Sequence, residues 1–176
     1  MDVNIRVERT EDFKKTEEVV RKSFESEAFS DKKEHILVNR IRKTEAFVSE
    51  LSLVAENGEQ EIIGHILLSK VKIINEKQTN ESLALAPVSV IPQFQHKGIG
   101  SKLIKTALST AKNLGYQSVI VLGHQDYYPK FGFQPASNWG IKAPFEVPDE
   151  VFMAIEITED SLADVSGVVH YSEAFS

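Results

Sequence analysis

Between Ser82 and Gly123 the chain carries an apolar strand pattern, a loop with glycines at positions 98 and 100, an amphipathic helix pattern and a second apolar strand. This order constrains the fold more than any other feature. Two strands joined through a helix lie parallel, and the connection between them crosses over right-handed. The first strand, "SLALAPVSVIP", holds Pro87 and Pro92. A proline inside a strand removes a ladder donor, so it marks an edge or a bulge. The helix runs from the glycine loop to about Leu114. Ile99, Leu103, Ala107, Leu108, Ala111 and Leu114 form its apolar stripe, and Gly115 closes it. "SVIVLG", which follows, is continuously apolar, as strands buried on both faces are.

The flanking sequence supplies the rest of a sheet. "NIRVERT" reads as a short alternating strand. "EDFKKTEEVVRKSF" spaces Phe13, Val19, Val20 and Phe24 helically, and "KKEHILVNRIRKT" does the same with Leu37, Val38 and Ile41. "ESEAFSD" is the loop between these helices. "ELSLVAE" and "EIIGHILLSKVKII" flank "NGEQ", an Asn-Gly hairpin signal. "HQDYYPKF" forms a short turn or helix and leads into "GFQPAS". "EVFMAIEI" is the last clear strand, and "EDSLAD" has the length of a short helix. The order is β-α-α-β-β-β-α-β-α-β-β, which describes an α/β chain with a mixed sheet and helices on both faces.

A length of 176 residues favours one domain, residues 1–176, with a sizeable core. Hydrophobic residues make up 41% and charged residues 26%, as in ordinary globular chains. No apolar run is long enough to span a bilayer, and "MDVNIRVERTEDFKK" lacks the apolar region of a signal peptide. The chain has no cysteine, which excludes disulfides, thiolate catalysis and zinc–cysteine sites. These features fit a cytoplasmic location without a membrane partner. A net charge of −6 argues against nucleic acid as the main partner. The charge is unevenly spread. Lys97, Lys102, Lys105 and Lys112 fall in a stretch without acids, whereas no lysine or arginine follows Lys142. The acidic C-terminal stretch is either a solvated tail or a field that attracts cationic acceptors, if it lies near the site.

A glycine loop that opens a helix offers unpaired N–H groups and the positive end of the helix dipole. Glycine lets an anion approach the backbone closely. Gln95 to Ser101 therefore reads either as a tight helix entry or as a phosphate cradle, to which Lys97 adds charge. The P-loop pattern is absent. The dinucleotide fingerprint is incomplete, because Leu103 stands where its third glycine would be.

"LAPVSVIPQFQHKGIGSKLI" resembles the acyl-CoA-binding motif of the GNAT superfamily of N-acetyltransferases. In that motif a strand ends in V-x-P and [RQ]xxGx[GA] follows. The matching positions are Val88, Val90, Pro92, Gln95, Gly98 and Gly100. "YYPKFGF" resembles the family's Y-x-x-x-G-F element, and the order of elements agrees over nearly the whole chain. "GHQDYYPKFGF" and "GVVHYSEAF" are most similar to the YhbS-like subgroup of acetyltransferases. The resemblance implies the family's fold, a mostly antiparallel mixed sheet with one parallel strand pair splayed at a bulge. It also implies acetyl-CoA as co-substrate and an amine of a small molecule or protein as acceptor. The loop N–H groups of His96, Lys97, Gly98, Ile99, Gly100 and Ser101 would hold the CoA pyrophosphate. Main-chain groups of Val88 and Val90 would meet the pantetheine arm, lying beside the strand like an added strand. Gln95 stands where arginine is common in the family, so the anion would be held with one less charge.

Acetyl transfer to an amine requires a neutral amine, a stabilised oxyanion and a proton for the departing thiolate. A backbone N–H near Val88 or Ser89 suits the oxyanion. Tyr128, by its motif position, suits the thiolate, with neighbouring Tyr127 as the alternative. The general base is left open among Glu25, Glu27, His65 and His124, each of which also has an ordinary structural reading, as has Asp126. Trp139 is either core or cleft lining. His35, His96 and His170 lack metal-ligand spacing, and no metal is expected. A non-catalytic acyl-CoA-binding or sensor module and a purely structural domain are the alternatives to an enzyme, and a homodimer is left open.

Overall fold

In the computed structural model, which describes residues 2–28 and 30–176, nine strands join in one mixed sheet. Phe29, within the expected loop "ESEAFSD", lies outside the described residues. The strands are β1 (Asn4–Val7), β2 (Ser52–Glu56), β3 (Ile62–Ile74), β4 (Thr79–Val90), β5 (Ser118–Leu122), β6 (Gln134–Pro135), β7 (Ile141–Lys142), β8 (Phe152–Glu156) and β9 (Gly167–His170). The helices are α1 (Phe13–Phe24), α2 (Glu34–Arg42) and α3 (Ile99–Asn113). The sheet runs β1-β2-β3-β4-β5-β8-β6. Its pairs are antiparallel along this path except β4–β5, the parallel pair expected from the crossover through α3.

Each face of the sheet is covered by the helices whose stripes match it. On one face, Ile99, Leu103, Ile104, Ala107 and Ala111 of α3 pack against Ile66, Leu68, Leu83, Leu85, Val119 and Val121. Ile104 belongs to the buried stripe, while Leu114 is exposed. On the other face, Val20 of α1 and Val38 and Ile41 of α2 cluster with Leu67 and Ala174, and Val19 packs with Val54 and Ile62. The C-terminal segment covers the remainder of that face, where Val169 and Leu162 pack on Ala84, Ile120 and Phe152.

The expected hairpin joins β2 and β3, one local expectation is revised and two strands are added. The β2–β3 turn is held by the Asn57 side chain, whose Oδ1 accepts from the amides of Glu59 and Glu61, both at 3.0 Å. Its positive φ falls on Gln60 and not on Gly58. "EDSLAD" forms successive turns instead of a helix: Asp160 has φ of 60°, and the Leu162 amide is taken by Glu156 Oε2 at 2.9 Å. Two short strands were not anticipated. β9 pairs antiparallel with the far end of β3 and parallel with β7.

A buried polar chain ties β1, β2, β3 and α2 together beneath α1. Arg42 and Glu8 form an ion pair at 2.7 Å, with side chains 6% and 1% exposed. Ser52 Oγ donates to Glu8 Oε1 at 2.8 Å and lies 2.9 Å from His65 Nε2. Because the serine proton is committed to Glu8, His65 carries its own proton on Nε2 and donates it to Ser52. Desolvation holds the imidazole down at about 4, with Glu8 opposing this and Arg42 adding to it. Between about pH 6.5 and the folded value, the unfolded chain binds a proton that the folded chain does not. Stability therefore falls as the pH drops through this window, by roughly 3 kcal/mol, and levels off below it. Urea unfolding should show this loss between about pH 7 and 4.5, and His65→Gln should flatten it. An equal slope in the variant would assign the pH dependence to other groups.

Candidate functional site

The parallel pair holds together only at Leu83–Val119 and Ala84–Ile120. Beyond these residues β4 separates from β5. The cause is visible in the β3–β4 ladder, where Ile66 opposes Val88 but Leu68 opposes Leu85. One extra residue on β4, at Ala86–Pro87, makes a bulge that turns the strand. The ladder register also fixes which main-chain groups face the gap. The Ile91 amide donates to Ile63 O at 3.0 Å, and Ser89 stands opposite His65. Hydrogen-bonded pairs alternate along an antiparallel ladder, so Ser89 bonds to β3. Val88 and Val90 point their N–H and C=O groups away from β3, into the gap that β5 has left.

The glycine loop sits at the wide end of this gap. Pro92–Phe94 forms a single 3₁₀ turn, and His96 (φ 64°) and Gly98 (φ 81°) lie in the left-handed region immediately before α3. The first intrahelical bond runs from Lys102 N to Gly98 O at 3.1 Å, so the amides of Ile99, Gly100 and Ser101 point outward from the helix N-terminus. Val90, Gln95, His96, Gly98, Ile99, Gly100 and Ser101 line one cavity of about 560 Å³. Val88 and Ser89 lie farther along the strand, and the exposed Lys97 does not line the cavity. Gln95 Nε2 donates to Val90 O at 2.8 Å, which ties the loop to the strand end.

Tyr127 and Lys130 complete this cavity, and neither was expected in it. They sit in the turn after β5, where Pro129 opens a 3₁₀ helix over Tyr128–Phe131. Residues three apart eclipse one another in a 3₁₀ turn. Lys130 Nζ accordingly lies 4.1 Å from the centroid of the Tyr127 ring. The i, i+3 spacing within "YYPKF" was the available signal. Among the described residues no acidic side chain lines the cavity, so Lys130 and the α3 N-terminus give it a positive field.

Tyr128 is buried in the α3-side core, 8% exposed, and packs edge-on against Phe133 at 5.7 Å and Tyr127 at 5.1 Å. Gly123 makes this position possible, since a Cβ there would lie 2.3 Å from the Tyr128 ring. Burial pushes the phenol above its ordinary value, with Tyr127 adding to the shift. Its hydroxyl stays protonated at neutral pH and is able to donate a hydrogen bond. His124, Asp126, Glu25 and Glu27 are exposed. His65 belongs to the buried polar chain, and Trp139 packs against the cluster around Ala136 and Ile141. A second cavity, of about 490 Å³, opens on the opposite face of the sheet between Leu85–Ala86 and Ile120.

The two loop glycines should fail in different ways. At Gly98 nothing lies within 4 Å of an added Cβ, but φ is 81°. Gly98→Ala should cost about 1–2 kcal/mol through left-handed strain alone. At Gly100 the φ is ordinary, but an added Cβ meets the Tyr127 hydroxyl at 3.2 Å. Gly100→Ala should therefore leave stability nearly unchanged, within about 0.5 kcal/mol, and move Tyr127. Chemical denaturation of both variants checks this, and equal losses would contradict it.

The sequence pattern described as "Acetyltransferase (GNAT) family" matches residues 11–133. YjhQ of Escherichia coli strain K12, named an uncharacterized N-acetyltransferase, is 39% identical over 127 residues, covering 72% of this chain and 70% of that one. YhbS of the same strain, named likewise, is 30% identical over 172 residues, covering 98% of each chain. The crystal structure of Escherichia coli YhbS in complex with CoA superposes with a TM-score of 0.88 at 27% identity, covering 98% of this chain and 91% of that one. A GNAT family acetyltransferase from Brucella melitensis in complex with acetyl-CoA superposes with a TM-score of 0.81 at 31% identity, covering 99% of each chain.

Proposed function

Because the chain belongs to the acetyltransferase (GNAT) family, we propose that it transfers the acetyl group of acetyl-CoA directly to an amine of a small molecule or protein. The observation that carries this reading is the gap between β4 and β5. It leaves the outward main-chain groups of Val88 and Val90 unpaired by β5, and Val90 lines the same cavity as the residues that open α3. A pantetheine arm adds to β4 as a strand would, and the pyrophosphate sits on the loop amides with Lys130 beside it. The pyrophosphate fits because Gly100 presents no side chain there. The relatives crystallised with CoA and with acetyl-CoA support the same ligand here.

The chemistry falls to Val88, on the gap, and to Tyr128, in the α3-side core. The amine lone pair attacks the thioester carbonyl, and the Val88 N–H, which faces the gap, donates to the developing oxyanion. The Ser89 N–H is held in the β3 ladder and takes no part. The C–S bond then breaks. The sulfur gains one proton, and the amine loses one. Tyr128, kept protonated by its burial, donates a hydrogen bond to the departing thiolate. With no cysteine in the chain, no acyl-thioester on the protein intervenes.

Acetyl-CoA at a hundred times Kd should stabilise the protein by about 2.7 kcal/mol. Gly100→Asp should abolish this gain by placing a carboxylate among the loop amides. Thermal unfolding with and without millimolar ligand tests it, and an unchanged wild-type Tm would end the acetyl-CoA reading. Tyr128→Phe should lower kcat by about 10²–10⁴-fold with KM for acetyl-CoA little changed. Tyr127→Phe should do the reverse and raise KM for acetyl-CoA, because its hydroxyl lies over Gly100. Steady-state kinetics of the pair decides the assignment. A larger kcat loss in Tyr127→Phe would transfer the role to that residue.

A further inference from the structure

The cavity on the face opposite α3 sits where β4 and β5 part. Leu85 and Ala86 form one wall, and Ile120 and Leu122 form the other. The pairing that closes the wedge is Ala84–Ile120, at the cavity floor. The C-terminal segment supplies the roof through Phe145, Tyr171 and Phe175. Phe145 stacks on Tyr171 with centroids 6.2 Å apart and planes 20° from parallel, and Tyr171 meets Phe175 at 5.0 Å. Leu122 and Phe145 are among the exposed large hydrophobic residues, at 46% and 47%, and both face this cavity. Its volume, about 490 Å³, is within the range of small-molecule sites.

Charge distinguishes the acceptors that this cavity can take. Among the described residues no acidic side chain lines it. The acidic C-terminal stretch does not supply one. Glu146 and Asp149 line a neighbouring cavity that shares Phe145 and also contains Lys142, Glu173 lines another that shares His170, Tyr171 and Ser172, and Glu156 is turned to the Leu162 amide. That stretch therefore brings no acidic side chain into the lining of the cavity at the gap. An apolar cavity favours the neutral form of an amine, which is the nucleophilic form. It leaves a second, permanent cation unpaired, which is costly. An aromatic ring, by contrast, extends the Phe145–Tyr171 stack. His170, Ser172 and Ser176 also line it, and the Ser176 main-chain oxygen accepts from Arg40 Nη1 at 3.0 Å.

We propose that this cavity is the acceptor site and that it selects small primary amines carrying an aromatic ring over polycationic amines. The inference rests on the transferase reading. It adds the acceptor class and assigns Phe145 as the residue that determines specificity.

The test compares 2-phenylethylamine with 1,6-diaminohexane, which is of similar length and carries a second cation in place of the ring. The full chain is assayed with acetyl-CoA. The kcat/KM should favour 2-phenylethylamine by tenfold or more. Phe145→Ala, at a half-exposed position, should lower kcat/KM for 2-phenylethylamine by about tenfold. It should lower kcat/KM for the diamine by far less and leave the Kd for acetyl-CoA unchanged. A preference for the diamine, or an equal loss for both amines in Phe145→Ala, overturns the proposal while the transferase reading stands. Faster reaction with octanoyl-CoA than with acetyl-CoA, abolished in Phe145→Ala, also overturns it by placing the acyl chain in the cavity. Titration of 2-phenylethylamine into the CoA-loaded protein gives a readout independent of turnover. Binding that Phe145→Ala removes, without turnover, upholds the site and overturns the transferase reading. Absence of binding overturns the site.

Discussion

The structure depends on β4 being unable to follow β5 past Ala84. The extra residue at Ala86–Pro87 breaks the alternation that a continuous parallel ladder needs. β3 compensates on the other side, since its ladder with β4 resumes from Val88 to Val90 and continues to Ile91. The strand therefore stays anchored on one edge while its other edge is left open in the middle of a sheet. Buried main-chain donors and acceptors without partners are costly, so such an edge persists where something else pairs with it. Val90 O already has a partner in Gln95. The groups of Val88 and the Val90 N–H are the ones left to a ligand.

The two faces of the sheet divide the work around this opening. On the α3 side, the helix N-terminus, the left-handed residues before it and Lys130 form a compact positive site. On the other side, apolar side chains of β4 and β5 meet the aromatic C-terminal segment. The gap joins a positive face to a mostly apolar one. That arrangement suits a long, charged carrier whose reactive end must meet an uncharged nucleophile. The Glu8–Ser52–His65 chain lies aside from both cavities and belongs to the support beneath α1.

Much of this was legible in the sequence because the signals were local. The strand–loop–helix–strand order dictated the parallel pair, Pro87 marked the bulge, and the glycine spacing located the left-handed entry to α3. What was missed depended on distance or brevity. β9 is "GVVH", too short to show a period, and it is a strand only because Ile73 and Ile74 lie beside it. β7 exists only because β9 does. "EDSLAD" has helical composition, but Glu156, at the end of β8, takes its Leu162 amide, and Gln117, distant in sequence, takes its Ser161 hydroxyl. Lys130 enters the anion cavity because a turn after β5 folds back toward α3, a placement set by tertiary packing around Gly123 and Tyr128.

The central claim is that the open edge of β4 receives the carrier arm. Residue-resolved amide hydrogen exchange with and without acetyl-CoA tests it most directly. The amides of Val88 and Val90 should exchange readily in the free protein and become protected when acetyl-CoA is added. The Ser89 amide, already bonded to β3, should be protected in both states. If Val88 and Val90 keep the same exchange rates at saturating acetyl-CoA, the carrier does not lie along β4 and the account is wrong.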